Sequence, residues 1–337
     1  MRTDPRGLLR GSRANANGAL SLGMLGSAIL VIKLGALGDF IHALGPMRAI
    51  RDHHAEAKIT LLTRPSYQEL ARRSDLFDAI QSDQEPKIWN IAGLFRLRQS
   101  LRSAQYARVY DLQTSDRTGF YYRLLSPGVR PEWSGIVPGC SHYHHYTRPT
   151  LIHTIDRQIE QLRIAGILNV PRPDLSFMDG DIGRFDLPDR FVLLVPGSSA
   201  RMAIKRWPAA AYGELAVRLA RRGLTPVVLG GAEEADAIST VLALCPEAIS
   251  LQGQTTILDI PALGRQAVGC VGNDTGPMHM AAMAGCPTVA IFSTASFPDK
   301  AAPRGPTVSL LVRERLSDLP VDAVEAALLN PPTDGAA

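Results

Sequence analysis

The sequence predicts an α/β protein of two halves, each built on a mostly parallel, doubly wound sheet. Three observations predict it. Short apolar runs rich in Val, Ile and Leu alternate with longer amphipathic segments, which places helices over the faces of parallel strands. A stretch rich in Pro, Gly and Asp, 169–190, breaks the alternation, which then restarts. The length, 337 residues, exceeds one average domain and suits two.

In chain order, AILVIKL ending at Leu34 reads as the first strand. The following segment, DFIHALGPMRAIRDHH, reads as a helix, with Ile41, Leu44, Met47 and Ile50 near one face. Next come a strand at 58–64, a helix in SYQELARRSDLF, a short strand in DAIQSD, an amphipathic helix with a basic face in IAGLFRLRQSLRSAQ, and a strand at 107–113. Residues 126–150, rich in Pro, Gly, Ser and aromatics, read as a long irregular loop, and 152–167 as a helix. After the break, 191–197 is a strand and AAAYGELAVRLARRG a helix ended by Gly223. LTPVVLGG, AISLQGQ, GCVGND and PTVAIFS read as strands; AEEADAISTVLAL, ILDIPALGRQA, PMHMAAMAG and 321–329 read as helices. The organisation expected is an extension over 1–28, one domain over 29–175 and a second over 190–330.

The extension opens basic, turns polar and small, then becomes apolar, imitating a secretory signal. Its apolar part runs on into the first core strand, so it reads as a disordered extension instead. No apolar run approaches the ~18–20 residues of a membrane span. The net charge of +4 favours an anionic partner, such as a phosphorylated ligand or an acidic membrane surface, and no basic-aromatic interleaving points to nucleic acid. Cys140, Cys245, Cys270 and Cys286 lie at no CxxC spacing, which suits a reducing cytoplasm and indicates neither a zinc site nor a redox pair.

Four stretches carry candidate chemistry. In VGNDTGPMHMAA a strand runs into a helix starting near Pro277, whose free N–H groups and dipole suit an anion. Gly276 lets a phosphate approach and Thr275 adds a hydroxyl, while Asp274 orders the turn or accepts from a ligand hydroxyl. The same residues also make an ordinary capped turn. In VPGSSARMAIKRWP, Ser198, Ser199 and Lys205 suit a diphosphate leaving group, or form a plain solvated loop. In LGGAEEADA, Glu233 and Glu234 suit a helix start with no ligand at all, or one of them accepts from ribose hydroxyls. KLGALGDFIHALG lacks the G-x-G-x-x-G spacing of a dinucleotide loop; Asp39 there either caps the helix or serves as a general base. HYHH at 142–145 has no acidic or cysteine partner at ligand spacing and reads as a solvated loop.

Taken together, ILVIKLGALGDFIHALGPMRAIR, PGSSARMAIKRWPAAAYGELAVRLARRG, VVLGGAEE and VGNDTGPMHMAAMAGCPTVAIF resemble the heptosyltransferase family of bacterial lipopolysaccharide synthesis, glycosyltransferase family 9. The resemblance spans about 29–330. It implies a GT-B fold: two Rossmann-like domains facing a central cleft, acceptor on the first and nucleotide sugar on the second. It implies inverting, metal-independent transfer of a heptose from ADP-heptose, with no cofactor beyond that donor. Carried over residue by residue, it makes Asp39 the catalytic base and Lys205 the cation on the donor phosphate. Ser198, Ser199, Glu233 (or Glu234), Asp274, Thr275, Gly276 and His279 fall on the donor side, Gly38 and His42 on the acceptor side. The implied acceptor is a lipid-linked saccharide, which places the protein in the cytoplasm or on the cytoplasmic face of the inner membrane, with Arg96, Arg98 and Arg102 available for peripheral contact. Two other classes compete. An epimerase of the same fold needs a second acid/base aimed at the sugar, and a non-catalytic sugar-nucleotide binder predicts binding without transfer. The chain departs from the family pattern at STASFPDK, where a Gly-Pro-Thr-like turn is frequent, and in 65–150.

Overall fold

The computed structural model describes residues 28–87, 89–125, 130–145, 152–198 and 206–332. The expected extension, apart from Ala28, therefore lies outside the described residues.

The first half carries β1 (Ala28–Ile32), β2 (Lys58–Thr63), β3 (Ala79–Ser82), β4 (Arg108–Asp111), β5 (Glu132–Gly135) and β6 (His142–Tyr143). They form one sheet in the order β3-β2-β1-β4-β5-β6, with every pair parallel. The second half repeats that plan with β7 (Phe191–Val195), β8 (Thr225–Val228), β9 (Ile249–Ser250), β10 (Gly269–Asn273), β11 (Thr288–Ser293) and β12 (Val308–Arg313), ordered β12-β11-β10-β7-β8-β9. In both sheets the strand order reverses beside the first strand, between β1 and β4 and between β7 and β10. In an open parallel sheet, ligands bind outside the C-terminal strand ends at such a switch point. The central strands β1 and β7 are buried almost throughout, which is why they read as unbroken apolar runs.

The helices of the first half are α1 (Leu37–His42), α2 (Leu44–His53), α3 (Gln68–Arg73), α4 (Ile91–Ser103), α5 (Asp116–Leu124) and α6 (Thr154–Ile164). The second half holds α7 (Ala209–Arg221), α8 (Ala235–Leu244), α9 (Asp259–Gln266), α10 (Gly276–Met283), α11 (Pro298–Ala301) and α12 (Val321–Leu329). The single helix expected over 39–54 is two, α1 and α2, broken at Ala43. Pro46 explains the break: it offers no N–H to the His42 carbonyl and its ring crowds that carbonyl, so Pro46 is tolerated only in the first turn of a new helix. The predicted face survives, with Ile41, Leu44, Met47 and Ile50 all buried. Gly223 follows the last turn of α7 at φ +71°, and Leu224 N donates back to Leu219 O at 3.1 Å, the expected glycine stop.

The irregular loop expected over 126–150 is corrected in part: it contains β5 and the edge strand β6. Each is short, and a buried glutamine of α6 ties β5 to β4. Gln161 Nε2 donates to Asp111 O (3.0 Å) and Ser134 O (3.1 Å). His144 is buried beside Glu160 (3.3 Å) and His142 faces Glu132 (3.6 Å), so these two imidazoles are not the solvated pair the sequence suggested. Sequence reading also passes over α5, α11 and the half-exposed edge strand β12. All four cysteines are buried and unbridged.

Candidate active site

The opening loop is shaped by backbone demands. Gly35 sits at φ +121°, and a Cβ there would meet the Tyr67 ring at 2.7 Å. Ala36, in extended conformation, is the N-cap of α1, and no side chain caps the helix. Asp39 thus does not take the capping role. It sits in the first turn of α1, half-buried, and no hydrogen bond to its carboxylate occurs among the described residues. Just upstream, Lys33 is buried and donates from Nζ to Leu112 O at 3.2 Å. Burial pulls its ammonium down to about 8, against the charges of Asp39 and Asp111. Asp111, also fully buried, is pushed up to about 6 by desolvation, and its Oδ1 accepts from Thr114 N at 2.9 Å.

The two halves meet on this loop. The His279 ring of α10 lies against Gly38, where a Cβ would come 2.6 Å from its Cδ2. His279 Nδ1 and His42 Nε2 share a 3.1 Å hydrogen bond, edge to face. His153, at the N-cap of α6, stands 5.1 Å from the His42 ring. It donates from Nε2 to Ala302 O (3.0 Å), its Nδ1 accepting from Ile155 N. Arg304 pairs with Asp156 through both carboxylate oxygens, at 2.8 and 2.5 Å. Burial drives His279 down to about 4, opposed by Asp274 and Asp39, and holds His42 well below the usual imidazole range. His153 is lowered for the same reason. His279 and His42, placed by sequence on opposite sides of the reaction, are direct partners.

On the second half, β10 ends in Asn273, whose buried side chain clamps two loops. Its Oδ1 accepts from Trp207 N (2.9 Å) and its Nδ2 donates to Pro196 O (2.7 Å). Thr275 is the N-cap of α10, with its hydroxyl unused for capping, and Pro277 is the second helical residue. Gly276 packs on Leu37 of α1, where a Cβ would come 2.8 Å from Cδ2. Ser198 is buried, and its Oγ has no hydrogen-bond partner among the described residues. Ser199 and Lys205 lie outside the described residues.

These elements enclose a cavity of about 260 Å³. Its floor comes from Val195, Gly197, Leu229 and Gly230, its sides from Glu234, Thr255, Thr256, Ile257 and Thr275, and one wall from Leu37 of the first half. Small residues at three consecutive strand ends let a ligand backbone come close, and the start of α10 supplies N–H groups and a positive dipole end for an anion. Glu234, rather than Glu233, reaches this wall; its Oε2 accepts from Gly231 N at 2.8 Å, while Glu233 is exposed. Sequence reading assigned no role to Asn273 or to the turn Thr255–Ile257. That turn is held by Asp259, which accepts from Thr256 N (2.6 Å) and Oγ1 (2.9 Å) and pairs with Arg184 at 2.6 Å. The signal for Asn273 was present: an amide directly at a strand end, where loop N–H and C=O groups need a partner.

Comparison with known proteins bears on this arrangement. The sequence profile described as glycosyltransferase family 9 (heptosyltransferase) matches residues 94–318. The chain belongs to glycosyltransferase family 9. As a member of that family it is a glycosyltransferase, with the two-sheet α/β fold the sequence predicts. Among curated relatives of this family 9 enzyme is lipopolysaccharide heptosyltransferase 2 of Escherichia coli K12, 25% identical over 82% of this chain and 85% of that protein. Another is the lipopolysaccharide core heptosyltransferase OpsX of Haemophilus influenzae, 21% identical over 79% of each. The fold is shared with the solved ADP-heptose LPS heptosyltransferase II of E. coli (TM-score 0.71, 22% identity, 90% of this chain and 98% of that one). It is also shared with a family 9 glycosyl transferase of Veillonella parvula (TM-score 0.74, 20% identity, 90% and 97%). Among the described residues of the family 9 enzyme, no group of three or more His, Cys, Asp or Glu side chains is arranged to hold a metal ion, and no helix is long and apolar enough to cross a membrane.

Proposed function

We propose that this glycosyltransferase moves a heptose, with inversion and without a metal ion, from ADP-heptose to a lipid-linked saccharide of the lipopolysaccharide core. The observation that carries the reading is the shared wall of the cavity. Leu37, two residues before Asp39, lines a space otherwise built from the glycine-rich strand ends of the second half. A nucleotide sugar whose diphosphate lies at the start of α10 would direct its sugar toward the Asp39 side. Asp39 then takes the proton of an acceptor hydroxyl, and the resulting oxygen attacks the anomeric carbon opposite the diphosphate. As that bond breaks, negative charge grows on the leaving phosphate. The N–H groups at the start of α10, the Thr275 and Ser198 hydroxyls and the Lys205 ammonium meet it. The buried Ser198 Oγ, without a hydrogen-bond partner among the described residues, supports a polar ligand there. Glu234 supports the ribose end, because it stands on the cavity wall.

The relatives' names, which specify lipopolysaccharide and, for one solved structure, ADP-heptose, support the donor and acceptor. The test presents the purified chain with ADP-heptose and with UDP- and GDP-sugars, plus heptose-deficient core saccharide, with and without EDTA. Transfer from ADP-heptose alone, insensitive to EDTA and giving the inverted anomer, is expected. Transfer only from a UDP- or GDP-sugar, loss of turnover in EDTA, or epimerised donor without transfer overturns the corresponding part of the reading.

A further inference from the structure

The loop between β3 and α4, together with the outer face of α4, presents apolar side chains that none of the described residues covers. Trp89 is 77% exposed, Ile91 78% and Phe95 62%. Isolated exposed apolar residues are ordinary, but three large ones within seven positions form a patch of the kind that marks an interaction site. The inner face of α4 is spoken for: Leu97 and Leu101 pack on the core formed with Tyr106, Tyr121 and Trp133. The patch is therefore not a misplaced core face.

Its charge setting is one-sided. From Lys87 to Arg102 the chain carries four basic residues and no acidic one, against a whole-chain balance of only +4. Lys87 Nζ lies 5.3 Å from the Trp89 ring, and Arg96 and Arg102 are exposed along α4. Phe95, Arg98, Gln99 and Arg102 border a shallow hollow of about 320 Å³. An indole and aliphatic tips flanked by Lys and Arg match the boundary of a bilayer with anionic headgroups: the apolar tips enter the interface and the cations meet phosphates. A stretch from Lys87 to Arg102 with exposed cations and no acid complements a uniformly anionic plane.

Position fits as well. In a parallel sheet all C-terminal strand ends lie along one edge, so the start of α4, which follows β3, shares that edge with Asp39, which follows β1. We infer that Trp89, Ile91 and Phe95, with Lys87, Arg96 and Arg102, dock the protein on the surface of an anionic phospholipid bilayer. The inference deepens the reading that the acceptor is lipid-linked, because docking here holds the cleft edge against the plane from which such an acceptor projects.

The structure supplies its own probe. Of the three tryptophans, Trp133 and Trp207 are buried, so a change in emission on adding vesicles reports Trp89. The full chain is mixed with phosphatidylglycerol/phosphatidylethanolamine vesicles and with phosphatidylcholine vesicles, without donor or acceptor. A blue shift and co-sedimentation with the anionic vesicles alone are expected. Trp89→Ser with Ile91→Ser and Phe95→Ser abolishes co-sedimentation. Arg96→Gln with Arg102→Gln lowers partitioning on the order of 30-fold, from about 1 kcal/mol per basic residue near an anionic surface. Leu168→Ser, an exposed apolar residue elsewhere, leaves binding unchanged. Both patch variants keep wild-type transfer to a soluble core saccharide, which separates this proposal from the transfer reading. Equal binding to both vesicle types, no binding to either, or a concentration-dependent dimer lost in the same variants overturns it.

Discussion

Replacing His279 by Gln tests the buried histidine contact between the halves through its pH dependence. In the folded chain the imidazole is held near 4, against an ordinary value of 6.5, chiefly by burial. A group lowered on folding binds fewer protons folded than unfolded, so its contribution is complete above about 6.5 and is lost as pH falls toward 4. Linkage over that interval gives a loss of about 2 kcal/mol by pH 5 and about 3 kcal/mol by pH 4. Asp111 acts with the opposite sign. Its carboxyl is raised to about 6, so acid favours the folded state there and masks the histidine in the wild type alone. The assay is therefore a difference: urea unfolding of the wild type and His279→Gln at pH 8 and pH 5, followed by fluorescence. Gln costs packing at both pH values, but at pH 5 it is spared the protonation penalty. The gap between the two proteins should narrow by about 2 kcal/mol on going from pH 8 to pH 5. His153, lowered chiefly by burial, adds acid sensitivity that both proteins share, whereas His42 is lowered by burial and then by His279, so its acid sensitivity falls in the variant and narrows the gap further. Parallel loss of stability in the two proteins would refute the reasoning.

Two further outcomes follow from contacts around the cavity. Gly38→Ala drives a methyl against the His279 ring at 2.6 Å, a strain of about 1–3 kcal/mol; thermal unfolding should come at lower temperature, and an unchanged midpoint would mean the halves do not meet as described. Asn273→Ala strips the acceptor from the buried Trp207 N–H and frees the Pro196 carbonyl, costing about 1–3 kcal/mol. It should also weaken ADP binding measured by calorimetry, whereas ADP affinity equal to wild type would remove Asn273 from the support of that loop.

Much of the fold was legible because its strands are buried on both faces. β1 and β7 read as unbroken apolar runs for that reason, and β2, β10 and β11 as largely apolar ones. β5, β6 and β12 were not read, since they are short or half-exposed and their polar residues resemble those of loops. The break between α1 and α2 was written in Pro46, but the regular spacing of Ile41, Leu44, Met47 and Ile50 spoke louder. At the site, Asp39, Thr275 and Gly276 stand out locally because strand-to-helix turns advertise themselves through Gly, Asp and Pro. Other features depend on residues distant in sequence. The His42–His279 bond joins positions 237 apart, and Leu37 reaches a cavity built from the other half. No local pattern encodes such pairings. The choice of Glu234 over Glu233 turns on which of two adjacent carboxylates bonds Gly231 N, a matter of one peptide's rotation.

The central claim is that Asp39 takes the proton of the acceptor while the second half holds the nucleotide. Asp39→Asn keeps the shape of the side chain and removes its basicity, so it separates chemistry from binding. Turnover with ADP-heptose and core saccharide should fall by about 10²–10⁴-fold, with ADP affinity by calorimetry unchanged. Near-wild-type turnover in Asp39→Asn would contradict the claim.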